Sequence, residues 1–202
     1  GKTTTKEAIR TVLQAAGETH YSIKSFNNHW GVPLMLARLP RDAQYGVFEI
    51  GMNHAGEITP LVKLVRPHIA VITTVAAAHL EFFKSVTEIA EAKAEIFLGI
   101  EPEGVALLNA DHDYLHVLFA KAREAKVPTV MTYGFDENSD WVIESVEKAG
   151  ARTFAKVRYD EESFDLNLQV PGRHMVANAV AALAVSALCG VDAPVASGAL
   201  AK

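Results

Sequence analysis

Cysteine is almost absent: Cys189 stands alone among 202 residues, so no disulfide can form within the chain. A disulfide-stapled scaffold is excluded, and a reducing compartment fits. Cys189 sits at the apolar run Ala179 to Leu188 and reads as a core thiol rather than a nucleophile. Long hydrophobic runs are also missing. A bilayer-crossing helix needs about 20 apolar residues, and the longest candidate, Val176 to Leu188, is interrupted by Asn178 and Ser186. There is no basic block: 19 Lys and Arg face 24 Asp and Glu, for a formal charge of −5. That balance lacks the electrostatic footprint of a nucleic-acid binder. Internal repeats and low-complexity stretches are absent too. What remains is a chain half hydrophobic by composition, enough for one sizeable core and a small appended layer.

Short apolar runs rich in branched residues, Gly46 to Ile50, Ile69 to Thr73 and Val105 to Leu108, alternate with helical patterns at Ile58 to Val65, Val86 to Ile100 and Tyr114 to Ala125. Apolar strands between helices predict an α/β fold with a mostly parallel sheet covered by helices on both faces. At the start, Ala8, Ile9, Val12, Leu13 and Ala16 recur at helical spacing up to Gly17, so a helix should follow the opening tripeptide directly. From about Asp140 to Val170 the pattern turns to strand-like alternation, predicting a small antiparallel sheet. Pro171-Gly172-Arg173-His174 then reads as a loop feeding a buried helix.

Several residues in this frame could carry chemistry. Gly1-Lys2-Thr3 would complete a G-x-x-x-x-G-K-[ST] phosphate loop, which makes the chain read as a fragment beginning inside that loop. There Gly1, Lys2, Thr3 and Thr4 would cradle phosphates, Lys2 neutralising charge and Thr3 holding magnesium. Glu49, read as the end of a strand from Tyr45, lies where a parallel sheet delivers ligands. It is open between a magnesium ligand and an exposed strand-end acid. His79 follows the strand Ile69 to Thr73 through an alanine-rich loop, and alone is as readily a structural histidine as a ligand. Lys93 falls in the inward stripe of Val86, Ile89, Ala90, Ile96, Phe97 and Ile100, with Glu88, Glu91 and Glu95 on other faces. A lysine so placed either snorkels to water or becomes a neutral, reactive amine. Asn178 could read an adenine edge or satisfy helix backbone. Asn27 and Asn28, before Gly31, form a polar loop able to face a substrate, though turn chemistry accounts for them equally well.

Taken together, residues 1 to 7, Ser25 to Asn28 with Gly31-Val32-Pro33, Glu49 to His54 with Gly56-Glu57-Ile58, Ala77 to Glu81, Ala92 to Phe97, and Pro171 to His174 with Asn178 resemble the Mur ligase family in order and spacing across nearly the whole chain. The resemblance implies a central ATP-binding domain and an ATP-dependent amide ligation. UDP-N-acetylmuramoyl-tripeptide would be activated as an acyl phosphate and joined to D-alanyl-D-alanine during peptidoglycan precursor synthesis. It further implies ATP and Mg2+ as cofactors, Thr3, Glu49, His79 and a carbamylated Lys93 as metal ligands, Lys2, His79 and Lys93 as catalytic groups, and Asn178 on adenine. A cytoplasmic monomer without membrane insertion is expected, with N- and C-terminal domains outside this chain and no ligase activity without them. Met175, Thr74, Phe82 and Lys84 depart from the family's usual residues, so no ligand contact is assigned to them. Within the same chemistry the alternative is another Mur-like or folylpolyglutamate-type ligase. From other classes, a P-loop switch or motor is disfavoured because the chain has no N-K-x-D guanine-reading segment and His79 and Lys93 would have no task in it, and a degenerate nucleotide-binding module is disfavoured because Glu49, His79 and Lys93 are all present.

Overall fold

The computed structural model describes residues 1–77 and 81–201, arranged as two compact units. The first comprises Gly1–Tyr21, Pro40–Val47 and Thr132–Lys202; the second comprises Ser22–Leu39 and Phe48–Met131.

In the first unit, helix α1 (Lys2–Gln14) begins one residue into the chain, with Gly1 at its N-cap. Its inward stripe of Ile9, Val12 and Leu13 is buried, whereas Ala16 lies beyond the helix end and is exposed. Strands β1 (Thr19–Tyr21) and β2 (Tyr45–Val47) pair in parallel. A strand from Gly46 to Ile50 was expected; the observed one ends at Val47, two residues short of Glu49. The end of β5 (Thr129–Gly134) pairs in parallel with the start of β6 (Trp141–Ala149). From β6 grows an antiparallel ribbon with β7 (Arg152–Tyr159) and β8 (Glu162–Leu168), the small antiparallel sheet expected from the alternation. In β7, Thr153, Ala155 and Val157 are buried between exposed neighbours, as a half-buried strand requires. Trp141 stacks on its cross-strand partner Tyr159 with ring centroids 4.3 Å apart, a contact of the kind that fixes register.

Helix α6 (Arg173–Leu188) is buried on every side from Val176 to Ser186. Alanine fills five of those eleven positions, so neighbouring backbones can approach closely, and α1, α7 (Ala193–Leu200) and the ribbon pack around it. Gly172 precedes α6 with φ 121°, in the left-handed region that favours glycine.

In the second unit, helix α2 (Gly31–Ala37) follows the Asn27-Asn28 loop, and α3 (Ile58–Val65) matches its expected bounds. Strands β3 (Ile69–Ile72) and β4 (Val105–Asn109) pair in parallel. Helix α4 (Val86–Ala94) tightens into a 3-10 turn at Glu95–Gly99, so the single helix expected from Val86 to Ile100 changes winding just after Lys93. Ser85 caps α4 by accepting from the Glu88 N–H, while the Glu88 carboxylate accepts from the Lys84 N–H. Helix α5 (Leu115–Glu124) packs on α4 and β4 around Ile89, Ala90, Phe97, Leu108 and Leu118. Gly99 reflects the tight packing of the 3-10 turn on α3: a Cβ there would lie 2.5 Å from the Val62 carbonyl oxygen.

Outside the ribbon, β1–β2, β3–β4 and β5–β6 pair in parallel, and the α/β class is as expected. No described helix is long and apolar enough to cross a membrane.

Candidate active site

The first group of residues belongs to α1 and α6. The first turn of α1 contains no acidic residue, so no carboxylate there offsets the positive end of the helix dipole. Lys2 and Thr3 are exposed at that end and Thr4 is half-buried. One turn in, Thr5 is buried, and its hydroxyl donates to Asn178 Oδ1 at 2.9 Å while lying 3.3 Å from the Gly1 carbonyl. Asn178, the sixth residue of α6, is 7% exposed, and its Nδ2 is buried with no hydrogen-bond partner among the described residues. Helix α1, expected to follow a phosphate loop, and Asn178, the expected adenine reader, are therefore joined by a side-chain hydrogen bond. The amide group of Asn178 keeps donors to spare.

The second group surrounds Glu49. The expectation left it open between a metal ligand and an exposed acid; at 5% exposure it is not an exposed acid. Asn27 Nδ2 donates to Glu49 Oε1 at 2.8 Å, and the Glu49 N–H donates to Ser22 Oγ at 3.2 Å. Oε2 is buried without a hydrogen-bond partner among the described residues. A half-satisfied buried carboxylate is costly unless a cation or further donor completes it. The Asn27 carbonyl accepts from the Gly51 N–H at 2.8 Å, and a Cβ on residue 51 would lie 2.9 Å from Asn27 Cγ. Only glycine lets the two segments approach so closely without a shift.

Asn28 has a local task. Its Oδ1 accepts from the Trp30 and Gly31 N–H groups at 3.1 and 2.9 Å, capping the entry to α2. Any substrate contact from Asn28 would use the rest of the amide.

Beyond Glu49, the loop Asn53 to Gly56 is held by two carboxylates. Glu57 accepts from the Asn53 and His54 N–H groups at 2.7 and 3.2 Å. The Asn53 amide above all, with further contributions from His54, holds the Glu57 carboxyl below its usual range. Glu95 accepts from the N–H groups of Gly56 and Thr59 and from the Thr59 hydroxyl, thereby tying the N-terminal turn of α3 to the end of α4. The sequence reading placed Glu95 on an outer face. The switch to 3-10 winding at that residue, which periodicity does not reveal, coincides with its turn toward α3.

Lys93 is half-buried in α4, between buried Ala92 and Ala94. The sequence did not single out His112, in the turn after β4. Burial first, and then the positive charge of Lys93, push its pKa down. His79 lies outside the described residues. Among the described residues no three His, Cys, Asp or Glu side chains form a metal cluster.

A glycine-capped helix opening on Lys-Thr, in an α/β fold of mainly parallel strand pairs, defines a P-loop-type nucleotide-binding domain. The family pattern described as Mur ligase middle domain matches residues 1–186, and the chain belongs to the Mur ligase family. It is 38% identical over 194 residues to the UDP-N-acetylmuramoyl-tripeptide–D-alanyl-D-alanine ligase of Escherichia coli (strain K12), covering 94% of this chain and 42% of that protein. It is 34% identical over 191 residues to the ligase of the same name from Bacillus subtilis (strain 168), covering 95% of this chain and 40% of that protein. Among solved structures, MurF from Acinetobacter baumannii superposes with a TM-score of 0.92 at 33% identity, covering all of this chain and 44% of that one. MurF ligase from Thermotoga maritima in complex with ADP gives 0.85 at 26% identity, covering all of this chain and 46% of that one. The chain thus spans less than half the length of these relatives.

Proposed function

We propose that this chain is the ATP-binding middle domain of a ligase that joins D-alanyl-D-alanine to UDP-N-acetylmuramoyl-tripeptide. The names of the relatives support the substrates, and the ADP complex of the Thermotoga maritima relative supports the nucleotide. The observation that carries the reading is Glu49: a buried carboxylate with one oxygen satisfied by Asn27 and the other unpartnered. Magnesium suits it, being a hard cation commonly held through one or two carboxylates plus nucleotide phosphates.

In this reading Gly1, Lys2, Thr3 and Thr4 bind phosphate through the N-terminal amides of α1, with Lys2 supplying positive charge. Thr3 and Glu49 are each assigned as a ligand for magnesium, and His79 and Lys93, the latter as a carbamate, as ligands for a second ion, all of which would hold the metal when it is bound. Asn178 presents its amide to adenine, its oxygen oriented by Thr5. Asn27 orients Glu49, and Asn28 is assigned to the substrate side. When bound, magnesium lowers the repulsion between two anions, the nucleotide and the peptide carboxylate.

A carboxylate oxygen of the tripeptide attacks the γ-phosphorus, the bond to the β–γ bridging oxygen breaks, and ADP leaves. The amine of D-alanyl-D-alanine then attacks the acyl carbon, losing a proton, and the acyl C–O bond breaks to release phosphate. A UDP-linked substrate, ATP use and the lone thiol all fit a cytoplasmic site of action.

The chemistry is tested with tripeptide labelled with 18O in its terminal carboxylate. The full-length protein should pass one label from that carboxylate into the released inorganic phosphate. Phosphate free of label, formed alongside the amide product, would contradict the acyl-phosphate route.

A further inference from the structure

Trp30 is the most exposed large hydrophobic side chain among the described residues, at 77%, and its backbone is held on both sides. Its N–H donates to Asn28 Oδ1 at 3.1 Å, and its carbonyl accepts from the Leu34 N–H at 3.2 Å. The next residue is packed tightly: a Cβ at Gly31 would lie 2.5 Å from the Phe26 carbonyl carbon. The His29 ring stands beside the indole, with centroids 5.5 Å apart and planes tilted by 46°. Leu34, one helical turn on at i+4, is exposed as well. An indole kept in water forgoes a large hydrophobic gain, and tryptophan is a residue type enriched among the anchors of bound partners.

Position and charge say what covers it. Trp30 follows Asn27 by three residues, which span at most about 11 Å of chain, and Asn27 Nδ2 lies 2.8 Å from Glu49 Oε1. Glu49 is assigned above to the magnesium that lowers the repulsion between the nucleotide and the peptide carboxylate. The residue bearing that carboxylate carries its side chain on the adjacent carbon, so this side chain is the part of the peptide that passes nearest the Asn27 loop. The segment Ser22–Leu39 contains Lys24, His29 and Arg38 and no aspartate or glutamate. It is therefore complementary to a substrate with a peptide carboxylate and a diphosphate. A flat apolar ring in basic surroundings suits an aliphatic side chain on an anionic peptide.

We infer that Trp30 is a specificity-determining residue for the peptide substrate: its indole face takes the methylene chain of the C-terminal residue's side chain, next to the carboxylate that is activated. This rests on the reading above, in which that carboxylate reacts beside Glu49. The contact is apolar and leaves the bond-making steps to other groups.

The test uses the full-length protein and its Trp30→Ala and Trp30→Phe variants, with UDP-N-acetylmuramoyl-tripeptides ending in lysine or in alanine. The parent should prefer the lysine peptide. Trp30→Ala should cut that preference in kcat/KM about tenfold, chiefly through KM for the lysine peptide, and Trp30→Phe should keep most of it. Because the side chain is exposed, Trp30→Ala should unfold at the same urea concentration as the parent, which separates lost binding from lost folding.

A binding measurement separates the occupants. Acrylamide, a neutral quencher, should act on a fluorescence component of the parent that Trp30→Phe lacks, while Trp141, 3% exposed, is shielded. The lysine peptide substrate should suppress that component, and UDP-N-acetylmuramate without peptide should not. Equal suppression by UDP-N-acetylmuramate, a component already missing from the unliganded parent, or a kcat/KM preference indifferent to residue 30 would overturn the inference and leave the ligase reading intact. Failure of the parent to ligate either peptide would overturn both.

Discussion

Asn27 donates its side-chain amide to Glu49 Oε1 at 2.8 Å and leaves Oε2 without a hydrogen-bond partner among the described residues, the oxygen that the proposed magnesium would take. Asn27→Ala should therefore act on metal use before anything else. Losing a group that orients a metal ligand typically weakens metal affinity about 10- to 100-fold. The magnesium concentration for half-maximal phosphate release should rise by that order in Asn27→Ala, with a smaller change in the rate at saturating magnesium. An unchanged magnesium requirement would remove Asn27 from the metal site.

Gly51→Ala should destabilise the protein by about 1–3 kcal/mol, the usual cost of forcing a methyl group into a packed position. The methyl would meet Asn27 Cγ at 2.9 Å. Urea unfolding measures the stability, and the magnesium requirement should rise in parallel, because the group displaced is Asn27.

Thr5→Val removes the hydroxyl that donates to Asn178 Oδ1 while nearly preserving shape. A buried amide oxygen left without its donor costs about 1–3 kcal/mol. The KM for ATP should rise several-fold with a lesser effect on kcat, since the bond orients a binding group rather than a reacting one. A fall in kcat alone would contradict the assignment of Asn178 to adenine.

Glu57 makes a pH-dependent contribution of predictable sign. Its folded pKa lies below the ordinary carboxylate value, so its stabilisation is fully present above the unfolded pKa and is lost as pH falls through the folded one. Glu57→Gln should flatten that part of the acid limb of stability against pH, measured by urea unfolding between neutral pH and about pH 3. An acid limb of unchanged slope would show that Glu57 is not held by the loop amides in solution.

Burial raises the pKa of Cys189. A smaller thiolate fraction means slow reaction with a thiol reagent at neutral pH in the native state and fast reaction in urea. The structure sets Cys189 half-buried at the C-cap of α6 rather than in the core that the sequence suggested, and labelling as rapid in the folded protein as in urea would show that this partial burial does not protect it.

Helix α3 was legible to the residue because its apolar positions and flanks agree, and the parallel strands β3 and β4 were legible as branched apolar runs. Strand β1 was not, and β2 was placed but drawn too long. At three residues each, these strands are too short to show a period, so Glu49 was placed on a strand that ends at Val47. Helix α7 was missed as well, its run of small residues giving no stripe. In the site, residue types alone singled out Glu49, Lys93 and Asn178. Their supporting residues were hidden, since Thr5 and Ser22 meet Asn178 and Glu49 only through the tertiary fold. The contacts of Glu95 with Gly56 and Thr59 were not foreseen, because an α-helical period was carried through a segment that winds as 3-10.

The central claim is most directly tested by phosphate release from the full-length protein with ATP and magnesium, adding UDP-N-acetylmuramoyl-tripeptide and D-alanyl-D-alanine singly and together. The account predicts sustained release only when both are present, together with the amide product, and no ligation by residues 1–202 alone. Release indifferent to either substrate, or dependent on a different acceptor pair, would contradict it.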